Sequence, residues 1–237
     1  MNISIVGAGR AGRSFAAALG QDHEVALVHH GQLPLDIDAD LVLLCVPDDA
    51  IAPTSRQVRG SHGVVAHVAG SRGVDVLAGH ARVGSLHPLV TMPDATIGAR
   101  RLRGGVFCVE GDALLDEVVA SLGGRTIAVT STKRTLYHAT AASAANHLVA
   151  LMGSVQALAG AAGLDLRDFL ALAQQSLDDV VALGPARALT GPASRGDAIT
   201  IRSHLEAIAD SERATYAALA ERATRLAATR EEAAWSA

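Results

Sequence analysis

Two groups of residues in this chain have the types and spacing to do chemistry. The first is Gly7-Ala8-Gly9-Arg10-Ala11-Gly12, a G-x-G-x-x-G pattern directly behind the β-rich run Asn2-Ile3-Ser4-Ile5-Val6 and ahead of a helix former, Ser14 to Leu19. In that context Gly7 permits a tight turn and Gly9 lets the backbone approach a pyrophosphate. Gly12 allows the helix to pack close to the strand, so its first amides face the phosphates. The pattern predicts a dinucleotide site. The second group is Lys133, His138 and Asn146, which open a long helix-forming stretch. His138 and Asn146 are eight residues apart, about 12 Å along a helix and roughly on one face. With Ala142 and Ser143 beside them there is room for a small molecule. Lys133 or His138 can then protonate a carbonyl as hydride arrives, and Asn146 can orient the substrate. A hydrogen bond between helices is the competing explanation for a polar pair on an alanine-rich face.

Other residues sit where sheet ligands collect. Glu24 to Val28 reads as a second strand ending at His29-His30. NAD-binding folds carry an acid there for the ribose hydroxyls; none is present, and Arg10 with His29 and His30 favours a 2′-phosphate, hence NADP over NAD. The apolar run Leu41 to Val46 reads as a central parallel strand. It ends at Pro47-Asp48-Asp49, so Val46, Pro47 and Asp48 are candidates for the cofactor's edge, with Asp48 or Asp49 also suited to cap the following helix. Two further strands, Gly63 to Val68 and Arg82 to Leu86, end at Gly70 and His87. His87 is a candidate substrate contact, and so is Arg195, which lies in the Gly191–Gly196 turn ahead of Asp197, an expected N-cap.

These residues need a frame. Strands and helices alternate from residue 1 to about 130, the pattern of a doubly wound, mostly parallel Rossmann-like sheet. From 132 onward only helices are expected, over 133–162, 165–182, 198–208 and 210–230. The division is therefore 1–131 for a dinucleotide-binding α/β domain and 132–237 for an all-α substrate and dimerisation domain.

Composition narrows the rest. Of 237 residues 49% are hydrophobic and 19% charged, so a core is easily buried. A net charge of −4 and 3% aromatics argue against nucleic acid as a partner. Cys45 and Cys108 lie in apolar runs as buried thiols, with no disulfide framework and no metal site, and the cytoplasm is the expected compartment. No signal peptide is expected. Ala139 to Leu164 lacks charge and is long enough to span a bilayer, but its Ala, Gly and Ser content suits close helix packing, as in a homodimer, rather than a membrane.

With these motifs the chain resembles the bacterial Rossmann-like oxidoreductases whose C-terminal half is a domain of unknown function. That group is similar in layout to the 6-phosphogluconate dehydrogenase-like superfamily. The matching pieces are Gly7 to Gly12, Val46-Pro47-Asp48-Asp49-Ala50-Ile51, Ser85-Leu86-His87-Pro88-Leu89, the Lys133…Tyr137-His138…Asn146 helix and Leu189-Thr190-Gly191-Pro192…Arg195-Gly196-Asp197. The resemblance implies an NADP-dependent dehydrogenase or reductase acting on the carbonyl or imine of a small anionic metabolite. A 2-oxo acid such as ketopantoate is one candidate. In the superfamily a lysine and an asparagine on the first helix of the second domain often serve catalysis, and Lys133 and Asn146 are the nearest counterparts. Two departures stand out: His67-Val68-Ala69-Gly70 replaces the usual His-x-Ser-Gly, and His29-His30 replaces an arginine-containing turn. The alternative is a non-catalytic dinucleotide sensor or interaction module.

Overall fold

A computed structural model describes residues 1–29 and 35–235, with two compact units, Met1–Ala145 and Asn146–Ala237. His30 lies outside the described residues. The first unit carries strands β1 (Asn2–Val6), β2 (Glu24–Val28), β3 (Leu35–Asp36), β4 (Leu41–Leu44), β5 (Val58–Arg59), β6 (Val64–His67), β7 (Val83–Pro88), β8 (Val106–Gly111) and β9 (Arg125–Ile127). Helices α1 (Arg10–Leu19), α2 (Ile51–Ser55), α3 (Ala95–Leu102), α4 (Leu114–Ser121) and α5 (Arg134–Ala142) accompany them. Seven strands form one sheet in the order β2-β1-β4-β6-β7-β8-β9. The chain moves from β1 outward to β2, then to β4 on the other side of β1. The strand order reverses there, at the point where open α/β sheets bind ligands beyond their carboxyl ends.

The continuous apolar strands explain the layers. Leu41 and Leu43 point into one core with Ile3, Ile5 and Phe15, while Val42 and Leu44 point into another with Val6 and Ile51. A strand buried on both faces has no polar side to show, hence the unbroken apolar run.

The sheet is mostly parallel, as expected, and among the described residues it carries one antiparallel pairing. β8 runs antiparallel to β7, whereas β9 is parallel to β8. α3 lies on the connection between these two strands, and β8 returns beside β7 in the opposite sense. The single helix expected over 133–162 is interrupted. A 3-10 turn (Ser131–Lys133) precedes α5, and a π turn (Ser143–His147) separates it from α6 (Leu148–Ala161). Asn146 lies within this π turn and His138 within α5.

The second unit contains α6, α7 (Arg167–Leu183), α8 (Pro185–Ala188), α9 (Ala198–Ala207) and α10 (Asp210–Trp235). Asp197 caps α9 as expected, accepting from the Thr200 amide at 3.0 Å. Among the described residues of this unit Ala159 and Ile208 are the only buried apolar side chains, while Leu172 and Val181 of α7 are 61% and 88% exposed. Among the described residues no helix is long and apolar enough to cross a membrane.

A glycine turn and a half-buried histidine–tyrosine cluster

The β1–α1 turn is built for close approach. Gly7 has φ +108°, and a Cβ there would run into the Cys45 carbonyl oxygen. A Cβ on Gly12 would strike the Gly7 carbonyl, so α1 packs directly on the turn. Gly9, the N-cap of α1, is different: its Cβ would meet nothing within 4 Å. No side chain caps this helix, and its first turn holds no acid. An exposed, uncapped N-terminus at the sheet's switch point fits a phosphate group. The Gly7 amide donates to Val28 O at 2.9 Å, which ties the turn to the end of β2, where His29 is exposed. Arg13 Nε donates to Ala8 O at 2.8 Å and braces the loop, while Arg10 is exposed beside it and Ala11 is half-buried.

Neighbouring strand ends continue this rim. Val46 is half-buried and Pro47 and Asp48 are exposed. Neither Asp48 nor Asp49 caps α2, whose N-cap is Ala50 with no side-chain hydrogen bond. Asp48 instead accepts from the Ser71 hydroxyl, and Arg72 Nε lies 3.9 Å from its carboxylate. β4 and β6 are adjacent, so the loop after β6 meets the Asp48 carboxylate across the sheet edge. His67, at the end of β6, is buried; its Nδ1 accepts from the Ala69 amide and its Nε2 contacts Gly73 O at 3.1 Å. With Nδ1 accepting, Nε2 carries the proton and donates. Burial pushes its pKa down, so the ring is held neutral.

His87, next to last in β7, forms the centre of a second cluster. Its Nδ1 is 2.6 Å from the Tyr137 hydroxyl, and its ring meets Tyr137 and His138 edge-on with centroids 5.6 and 6.0 Å away. A Cβ on Gly70 would touch His87 Cε1 and Nε2 and His138 Cδ2, so only glycine at the end of the β6 loop lets these rings close up. Burial, then the charges of His138 and Arg134, lower the His87 pKa to about 4. Burial and the adjacent Cys108 thiol raise the Tyr137 hydroxyl. Tyr137 therefore keeps its proton and donates it to the neutral His87 Nδ1, which leaves His87 Nε2–H as a donor directed toward Gly70. Cys108 faces His87 across the β7–β8 pairing, and both cysteines are free and buried, as expected.

Beneath the cluster lies Arg134, 3% exposed. It pairs with Glu110 at 2.9 Å and donates to Ser85 Oγ at 3.0 Å. Ser85 is aligned with His67 on one side and Glu110 on the other. This ion pair anchors the start of α5 to the sheet and so sets where Tyr137 and His138 lie. Arg134, Tyr137 and Gly70 were not singled out for roles from the sequence. The signal for the first two was present: positions 134, 137 and 138 follow the i, i+3, i+4 rule for one helical face. Lys133, the neighbour chosen instead, is exposed at the N-cap of α5. Asn146 and Arg195 belong to the second unit and both are exposed, so burial does not force a partner on Asn146. No group of His, Cys, Asp and Glu among the described residues can hold a metal ion.

Comparison with known proteins agrees with this architecture. The family model for DUF2520, a domain of unknown function, matches residues 106–223. A search of curated proteins gives no match. Among solved structures, the chain is similar to the Bacteroides fragilis protein BF3122, whose name assigns it provisionally to the NADP oxidoreductases. Identity is 22%, over 94% of this chain and 98% of that one, with a TM-score of 0.80. Protein TM1727 from Thermotoga maritima is 19% identical over 97% and 99%, with a TM-score of 0.75. A reductive aminase from Aspergillus terreus, in complex with NADPH and ethyl levulinate, is 15% identical over 98% and 98%, with a TM-score of 0.67. The chain thus has a Rossmann-like sheet, and its residues 106–223 match the DUF2520 domain of unknown function.

Proposed function

We propose that the chain is a cytoplasmic NADP-dependent oxidoreductase that reduces the carbonyl or imine of a small anionic metabolite. The observation that carries this reading is the His87–Tyr137–His138 cluster at the carboxyl end of a sheet whose first turn is an open glycine fingerprint. His87 stands three strands from β1, about 14 Å at ordinary strand spacing. Gly7, Gly9, Ala11 and Gly12 would hold the pyrophosphate, Arg10 and His29 the 2′-phosphate, and Val46, Pro47 and Asp48 the intervening rim. The cofactor, when bound, supplies the hydride; the polypeptide supplies orientation and a proton.

His87 Nε2–H is the hydrogen-bond donor assigned to the substrate oxygen or nitrogen, with Tyr137 fixing its tautomer, and His138, edge-on beside it, is assigned to hand over the proton. Lys133, four residues before Tyr137 on α5, offers an exposed cation for an anionic substrate. Asn146 and Arg195 are assigned to orienting the substrate and clamping its carboxylate. Solved relatives that carry NADPH, among them the reductive aminase, support the cofactor assignment. A homodimer completes the proposal: the second unit leaves Val149, Leu172, Val181 and Ile199 more than half exposed, which a second copy would cover.

The test is NADPH oxidation by the full chain on addition of 2-oxo acids, ketopantoate included, and cyclic imines. Turnover of one class names the substrate. Cofactor binding without turnover of any of them would favour the sensor reading instead.

A further inference from the structure

The second unit contains a cavity that the reductase reading does not use. It measures about 330 Å³, within the range of small-molecule sites. One wall is the α6 stripe Leu151, Ser154, Val155 and Leu158, at i, i+3, i+4 and i+7 spacing; the facing wall is α10, where Tyr216, Leu219, Ala220 and Ala223 repeat the same period. The Leu189–Ala193 loop closes one side. Its lining is mostly apolar, with hydroxyls at Ser154, Thr190 and Thr215, and on α10 Glu212 and Tyr216 stand one helical turn apart.

That pair is chemically specific. Among the described residues Glu212 is the only charged side chain in the lining, and its carboxylate has no hydrogen bond or ion pair. Asp210, the other acid of this first helical turn, is paired with Arg213. Tyr216 is fixed: its hydroxyl lies 2.6 Å from His204 Nδ1 and the two rings meet edge-on. An immobilised aromatic ring next to an unpaired carboxylate attracts a cation. At about 30 Å³ for each water-sized group, the cavity has room for about ten heavy atoms.

We infer that this cavity is a binding site for a compact apolar molecule carrying one protonated amine, with the amine on Glu212 and the hydrocarbon between α6 and α10. The inference does not rest on the proposed reductase chemistry. Calorimetric titration of the full chain with adamantylamine and with the uncharged adamantanol tests it, with no nucleotide present. The amine is expected to bind about tenfold more tightly than the alcohol. Glu212→Gln is expected to remove that difference and leave alcohol binding unchanged. Ala220→Trp, which fills the cavity, is expected to abolish binding of both while the oligomeric mass stays constant. Equal binding of the two probes, or a preference that survives Glu212→Gln, overturns the assignment. A fall in oligomeric mass with Ala220→Trp also overturns it, because the cavity would then be a contact between copies of the chain.

Discussion

Replacing Arg134 by methionine is expected to lower the stability of the sheet-bearing unit by about 3 kcal/mol, the lower end of the cost of breaking a buried ion pair. Methionine keeps most of the stem's packing but removes the charge, leaving Glu110 without its cation and Ser85 Oγ without its donor. Glu110 is 25% exposed, so water recovers part of its solvation, which places the loss at the low end of the range. The double variant Arg134→Met/Glu110→Gln removes the stranded charge and is expected to recover more than half of the loss. Urea unfolding midpoints for the three proteins measure this. A loss below about 1 kcal/mol in the single variant would mean the pair does not anchor α5.

His87→Ala is expected to reduce kcat in the reductase assay about a hundredfold or more, the usual cost of removing a hydrogen-bond donor aimed at developing charge, without changing NADPH affinity. Tyr137→Phe keeps the ring and removes the hydrogen bond that fixes the His87 tautomer, so a smaller fall is expected. The pH profile carries a separate signature. With a pKa of about 4, His87 is neutral throughout the near-neutral range. The rate should therefore show no His87 titration near pH 6.5 and should decline only as pH falls toward 4, where the protonated ring can no longer accept from Tyr137. A His87 transition near pH 6.5 would contradict the half-buried, neutral assignment.

What could be read from the sequence was what local sterics decide. The β1–Gly7–α1 unit is legible because each glycine answers a backbone demand within a dozen residues. The apolar run of β4 is legible because burial on both faces leaves no alternation. Asp197 is legible as a cap because its partner is three residues away. The misreadings share the opposite property. Asp48 suits an N-cap locally, but Ser71 and Arg72, brought alongside by the β4–β6 pairing, engage its carboxylate. The anchoring role of Arg134 stayed hidden because its partners, Ser85 and Glu110, lie on two other strands. The π turn at Ser143–His147 interrupts an alanine-rich stretch whose helix propensity gives no sign of a break.

The most direct test of the account is a calorimetric titration of the full chain with NADPH and with NADH, using Gly9→Asp as the control. Gly9 has φ −75° and open space where a Cβ would stand, so aspartate fits without strain and can cap α1. The variant should fold while its carboxylate occupies and repels the phosphate position. The account predicts that NADPH binds more tightly than NADH and that Gly9→Asp abolishes both. Absence of binding in the wild-type chain, or NADPH binding undiminished by Gly9→Asp, would contradict it.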